Sequence, residues 1–218
     1  MHIFFDIGKF MDIKERILTV TTQQTRQVGV SSTTMDHIAR SCGISKRTLY
    51  ELFPDKLTLL TEAMRYSINQ QRTRLMTIIE KSDNTLDALL HIYAHVRNQV
   101  DHTAPVLIDD IRRLYPSLYQ VYLNEHMENN RQLVNMLKAS QEQGQIRKNA
   151  DIEAAVAGLS IILMHIKREN TLSDISITTE QVLNESFINL IRGLATKDNI
   201  DNIDRFIERH INNKHNQE

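Results

Sequence analysis

A chain of 218 residues and 25.3 kDa holds one or two domains of ordinary size and can bury a core without disulfides. Apolar residues at 41% and charged residues at 24% exclude a mostly disordered chain, and the single cysteine, Cys42, excludes an internal disulfide. The net charge of −1 excludes a uniformly basic nucleic-acid coat, although residues 1–60 carry eight Lys or Arg against six Asp or Glu, a surplus of +2 that leaves −3 on the remainder.

Only 6 Gly and 3 Pro occur, while good helix formers are plentiful, so the composition predicts helices joined by short connections rather than a sandwich or barrel. Residues 1–10 are apolar but broken by Asp6 and Lys9, with no basic residue before and no small-residue cleavage site after. They read as a disordered arm or as an upstream extension before a start at Met11. No stretch reaches the roughly 20 apolar residues that span a bilayer, so the expected setting is the cytoplasm, with no membrane partner.

Ile13, Ile17, Val20 and Val28 predict a first helix over 12–28 that Gly29 stops, although its segment 21–25 is unusually polar. Thr33 is expected to cap a short helix that carries Ile38 and Ala39, with Asp36 as a shortened capping box. Gly43 allows a tight turn, Ser45 caps a second short helix over 46–52, and Pro54 closes it. Asp55 then caps the first of several long amphipathic helices, placed at 56–80, 84–103, 105–115, 117–143, 151–169, 179–195 and 199–212. Residues 170–178 read as a flexible connection and 212–218 as a polar tail.

Two short helices meeting across a glycine turn have the layout of a helix-turn-helix, in which the second helix enters the major groove. That second helix bears Ser45, Lys46, Arg47, Thr48 and Tyr50 near an N-terminus whose free N–H groups suit phosphate. Arginine can address guanine O6 and N7, and threonine a thymine methyl. Leu49, Phe53, Ile38 and Ala39 need only an ordinary core, whereas the polar set has no such need.

The ordered set Gly29, Thr33-Thr34, Ile38-Ala39, Gly43-Ile44-Ser45, Thr48-Leu49-Tyr50, Phe53, Lys56 and Leu59-Leu60 resembles the DNA-binding head of the TetR (tetracycline-repressor-like) family of bacterial transcription regulators. The resemblance implies an all-α fold, with a three-helix helix-turn-helix head over 1–58 and a helical ligand-binding and dimerisation domain over 59–218. It also implies a homodimer on double-stranded DNA and a small-molecule ligand in the C-terminal domain. DNA contacts are then expected from Thr34, Ser45, Lys46, Arg47, Thr48, Tyr50 and Lys56. Two departures stand out. Thr22, Gln24 and Thr25 occupy places where the family has apolar side chains, which puts the seating of the first helix in question. Arg47 stands where a small residue is common and adds a long cation aimed at DNA.

In the body, His91, His95, Asn98 and His102 form a stripe, but only two ligands for a metal can come from one such helix. A solvated or cavity-edge face is the expectation, with no metal and no cofactor. Leu118, Tyr122, Glu125, Asn129, Leu133 and Met136 follow one face, so Glu125 and Asn129 interrupt an apolar stripe and need partners. Ligand atoms, a neighbouring helix or water would each serve. Asp109 and Asp110 are expected to face solvent or pair with Arg112 and Arg113, and methionines such as Met76, Met127, Met136 and Met164 suit an adaptable lining. The residues expected to line a ligand pocket are Ile92, Tyr93, Val96, Ile111, Glu125, Asn129 and Met164. Subunit pairing is expected from Leu159, Ile162, Leu163, Phe187, Leu190, Ile191 and Leu194, which could equally fill a monomeric core.

These features point to a sequence-specific DNA-binding regulator, a repressor released from a palindromic operator by a small molecule. The alternative is an all-helical interaction module that keeps the head as a packing unit without binding DNA. The sequence has no Gly-rich phosphate loop, His-Glu-x-x-His, Gly-x-Ser-x-Gly or cysteine-based metal set, and so gives no reason to expect an enzyme.

Overall fold

The computed structural model of the protein describes residues 12–100, 107–165 and 177–210. Helices account for nearly all of this, in the order α1 Ile13–Ser32, α2 Met35–Ser41, α3 Lys46–Leu52, α4 Lys56–Lys81, α5 Thr85–Val100, α6 Leu107–Leu114, α7 Pro116–Glu142, α8 Ile152–His165, α9 Thr179–Leu194 and α10 Lys197–His210. Packing divides the chain into two compact units, one of residues 1–72 with 102–125 and the other of 73–101 with 126–218. The unit that holds the head therefore also takes in 59–72 and 102–125, and packing does not part at residue 58, where the sequence places the functional boundary. The expected arm at 1–10, most of the connection at 170–178 and the tail at 212–218 lie outside the described residues.

Within the first unit, the backbone of α1 leaves helical geometry at Gly29 (φ 78°, ψ 168°), so the helix bends there instead of ending. A core of Ile17, Ile38, Leu49, Phe53 and Leu59, all fully buried, ties α1 to α2, α3 and the start of α4. Removing one such side chain, as in Leu49→Ala, costs about 2–5 kcal/mol because a cavity is left. The polar stretch of α1 is seated by hydrogen bonds of its own. Thr22 donates to the Ala63 carbonyl (3.3 Å), Gln24 to the Ser41 hydroxyl (2.8 Å) and Thr25 to the Thr21 carbonyl (2.9 Å). A second small core, Val30, Leu60, Ile111 and Leu118, joins α1, α4, α6 and α7.

The second unit packs α5, α8, α9 and α10 with the C-terminal part of α7 around Ile146, Ile191 and Ile203. Gly144 (φ 77°) turns the chain after α7, and the Arg147 N–H donates to the Leu194 carbonyl (2.9 Å), pinning this turn to the end of α9. α9 starts on a full capping box between Thr178 and Gln181. Among the described residues no helix is long and apolar enough to cross a membrane.

Candidate DNA-binding site

Cap chemistry fixes the two short helices. The Thr34 hydroxyl accepts from the His37 N–H (3.2 Å) and so caps α2, while Thr33 is fully buried and donates to the Gly29 carbonyl (2.8 Å). The cap thus lies one residue later than the sequence suggests, because Thr33 is needed to close the bend in α1. Ser45 caps α3 by accepting from the Thr48 N–H (3.0 Å), as expected. Between them Gly43 sits at φ 62°, a left-handed conformation that a side chain would strain.

With Leu49 and Phe53 locked in the core, the opposite face of α3 is open. Lys46, Arg47 and Tyr50 are exposed, Arg47 with 88% of its side chain in solvent, and Thr48 is half-buried. Each cation has an acidic neighbour that sequence reading did not pair with it. Lys46 pairs with Asp36 of α2 at 2.7 Å, and Arg47 with Glu51 at 2.9 Å one turn along. The hydrogen bond and charge of Asp36 raise the Lys46 ammonium above its ordinary range, so it stays protonated. The Ser45 and Thr48 hydroxyls bond each other at 2.8 Å. Exposed pairs of this kind hold weakly and exchange readily for phosphate oxygens. Chemically, the face is a set of donors kept in place by acids that can let go.

Lys56 is the remaining cation expected to contact phosphate. Its ammonium turns inward, donates to the Val30 carbonyl at 2.6 Å and lies 5.9 Å from the centre of the Tyr115 ring. Burial pulls it below the usual lysine range, partly offset by the charge of Asp110. Nearby, Asp110 is buried and accepts from the Ser31 N–H (3.1 Å) and hydroxyl (2.5 Å). It therefore does not face solvent, although its other oxygen meets Arg113 at 3.4 Å, and Asp109 does pair with Arg112 at 3.3 Å.

The expected ligand residues fall into separate places. In the first unit, Ile111 borders a cavity of about 220 Å³ that Thr22, Thr25, Arg26, Leu60 and Tyr122 also line. Glu125, also in this unit, is not on that cavity and pairs with Arg72 at 2.6 Å. In the second unit, Tyr93 is buried, stacks on Phe187 with ring centres 4.3 Å apart and donates to Asn184. Burial is the main cause that pushes its phenol up to about 12. Ile92 and Val96 are half-buried on the same helix, Asn129 is exposed, and the side chain of Met164 lies outside the described residues. The half-way stripe of α7 thus resolves into a helix neighbour for Glu125 and a surface position for Asn129. Met76 and Met127 are each 62% exposed.

Of the His stripe, His91 borders a second cavity, of about 400 Å³, together with Asp87, Asn199, Asn202 and Phe206. His91 is 3.6 Å from Asp87 and meets the Phe206 ring edge-on, and burial lowers His95 below the ordinary histidine range. The described residues contain no group of three or more side chains fit for a metal, and His102 lies outside them. Of the expected pairing residues, Ile191 and Leu194 are only 1% and 4% exposed, and Leu159 and Phe187 are also buried, so all four already serve the core of a single chain. Ile162, Leu163 and Leu190 keep surface to spare, and Ile161, missed in the sequence, is 62% exposed.

Comparison with known proteins places this geometry. The family model described as bacterial regulatory proteins, tetR family, matches residues 17–63, which span α1 to the first turns of α4. YvkB of Bacillus subtilis (strain 168), described as an uncharacterized HTH-type transcriptional regulator, is 27% identical over 188 residues, 83% of this chain and 96% of the relative. Among solved structures, the reduced form of NemR from E. coli is similar with a TM-score of 0.70 at 16% identity, over 85% of this chain and 98% of that one. A TetR-family regulator from Marinobacter aquaeolei VT8 reaches a TM-score of 0.69 at 16% identity, over 92% and 99%. At such identity these two likenesses speak to fold alone. With the tetR-family model matched from α1 into α4 and an HTH-type regulator similar over most of its length, the chain is a DNA-binding transcriptional regulator whose head is similar to that of the tetR family.

Proposed function

We propose that the chain works as a homodimeric repressor in the cytoplasm, leaving a pseudo-palindromic operator when a small molecule binds its body. The observation that carries this is the split character of α3, where Leu49 is fully buried while Arg47 presents nearly all of its side chain. A helix held that firmly by one face and that polar on the other is suited to reading a groove. In a symmetric dimer two such helices would meet successive major grooves, about 34–36 Å apart. Residues 1–58 would bind DNA, through Thr34, Ser45, Lys46, Arg47, Thr48 and Tyr50, and residues 59–218 would pair the subunits and take the ligand. The exposed Ile161 and half-buried Ile162, Leu163 and Leu190 support pairing through α8 and α9. The role is recognition, with no catalytic step.

Ligand controls such a regulator only through its different affinity for the DNA-competent and released states. Footprinting on the intergenic DNA flanking the gene tests the proposal. The expected result is a symmetric protected site whose affinity falls steeply with salt, in proportion to the phosphates contacted. Arg47→Ala should shift preference at one or two base pairs, whereas Tyr50→Phe should weaken binding to all sequences alike. Absence of any symmetric footprint at micromolar protein would favour the interaction module instead.

A further inference from the structure

We infer that Glu51 is a positioning residue that aims the Arg47 guanidinium at a guanine base, an inference that rests on the groove-facing reading of α3 above. The two side chains stand one turn apart on the open face of the helix, and the Arg47 Nε–H donates to the Glu51 carboxylate at 2.9 Å. Nε is the inner nitrogen of the guanidinium. Among the described residues the two outer nitrogens, Nη1 and Nη2, donate to nothing. Guanine O6 and N7 accept a pair of N–H groups from one guanidinium, either end-on through both outer nitrogens or side-on through Nε and one of them. With Nε taken by Glu51, only the end-on approach is left.

Folding gains little from this pair. Arg47 lies in the first turn of α3 and Glu51 in the last, so each charge opposes the helix dipole. The order is also the weaker one, since an acid four residues before a base stabilises a helix better than the reverse. Both side chains are mostly in solvent, where ion pairs contribute least. Lys46 makes the contrast. Its acid, Asp36 at 2.7 Å, comes from α2, and an ammonium has three donors without a fixed plane, which suits a phosphate. The two cations of α3 thus divide the work, Lys46 toward the backbone of the duplex and Arg47 toward a base.

DNA binding strengthens what is weak in the free protein. Arg47 need not release Glu51 to meet a base, because the outer nitrogens are the ones that reach it. As water leaves the space between α3 and the groove, the bond from Nε to the carboxylate tightens in the lower dielectric. A side chain already limited in its rotation also loses less entropy on contact. The carboxylate meanwhile repels phosphates, whatever the sequence. Glu51 therefore lowers affinity for DNA in general while sharpening the choice of one base pair, which is the mark of a specificity device.

The test uses the purified full chain and selection from randomised duplex DNA, which supplies the preferred half-site directly. Arg47→Ala marks the position that Arg47 reads, and duplexes with guanine or adenine there are titrated with each protein. Glu51→Ala and Glu51→Gln remove the same charge, but glutamine keeps an oxygen that can accept from Nε. Both should bind random duplex more tightly than the unaltered protein. Only Glu51→Ala should cut the guanine-over-adenine ratio, by about three- to tenfold, the range expected when one long side chain is no longer held. With Arg47→Ala already in place, Glu51→Ala should change the ratio no further. Neither side chain reaches the core, so both Glu51 variants should melt as the unaltered protein does. An unchanged ratio in Glu51→Ala, an equal loss in both variants, or a further loss in the Arg47→Ala background would overturn the positioning role and leave DNA reading by Arg47 in place. A selected site at which Arg47→Ala alters no base preference would end the groove-facing assignment of Arg47 and this inference with it. A pool that enriches no sequence would remove sequence-specific binding altogether.

Discussion

Asp110 reaches from α6 to the end of α1 and takes both the backbone N–H and the hydroxyl of Ser31, at 3.1 and 2.5 Å. An acid with two donors from one residue and a third from Arg113 is held as the anion, and these bonds keep its carboxyl below the usual carboxylate range. Because the folded chain binds that proton more weakly than the unfolded chain, the stabilisation is fully present above about pH 4 and is lost as pH falls through the folded value. Asp110→Asn should therefore cost about 1.5–3 kcal/mol at neutral pH. It should also flatten the acid limb of stability. Urea unfolding at pH 7 and below pH 4 measures both, and equal acid sensitivity of the two proteins would contradict the assignment.

Lys56 offers a direct choice between two roles. A phosphate contact predicts that removing it lowers the slope of log affinity against log salt by about 0.9 per contact. The inward bond to Val30 predicts instead that Lys56→Met leaves the slope unchanged and costs about 1–2 kcal/mol of stability, since a partly buried carbonyl loses its donor. Lys46→Met, on the open face of α3, should show the opposite pattern of reduced slope and nearly unchanged stability. Gel shifts over a salt series, with thermal melts alongside, separate the two.

These two lysines show where sequence reading reaches its limit. The helix-turn-helix was legible because its signals are local: Ser45 caps the helix it precedes, Gly43 must adopt a positive φ, and Leu49 and Phe53 fall on one face. Nearly every helix was legible for the same reason, through spacing and caps. The partners of Lys56, Asp110 and Glu125 were not, because Val30, Ser31 and Arg72 lie 26, 79 and 53 residues away along the chain. Periodicity names the face a residue occupies, not what stands opposite. That is why Asn129, on the same predicted stripe as Leu118, turned out exposed. It is also why Ile191 and Leu194, apolar at the right spacing for pairing, were already spent on the core of one chain.

Thr21 carries a flaw that can be removed. Its side chain is fully buried and its hydroxyl has no hydrogen-bond partner among the described residues, although its carbonyl serves Thr25. A buried, unsatisfied polar atom costs about 1–3 kcal/mol. Valine has nearly the same shape and the same β-branching, so Thr21→Val should stabilise the protein by about 1 kcal/mol and raise its Tm by a few degrees. Differential scanning calorimetry reads this directly, and a lower Tm would mean that the hydroxyl has an unrecognised partner.

Cys42 ends the head core, 4% exposed beside Ile38 and Leu49, and burial pushes its thiol up despite the opposing charge of Arg16. Reactivity belongs to the thiolate, which this environment disfavours, and access is closed as well. A raised thiol with no path to solvent is poorly suited to sensing oxidants. Ellman's reagent at neutral pH should therefore leave the folded protein unmodified over minutes and react with one thiol per chain once denaturant is added. If labelling occurs slowly in native buffer, its rate should follow opening of the head, and Leu49→Ala, which loosens the same core, should accelerate it. Rapid labelling of the native protein, or loss of operator binding under mild peroxide that Cys42→Ala abolishes, would show instead that this thiol is within reach and works as a switch.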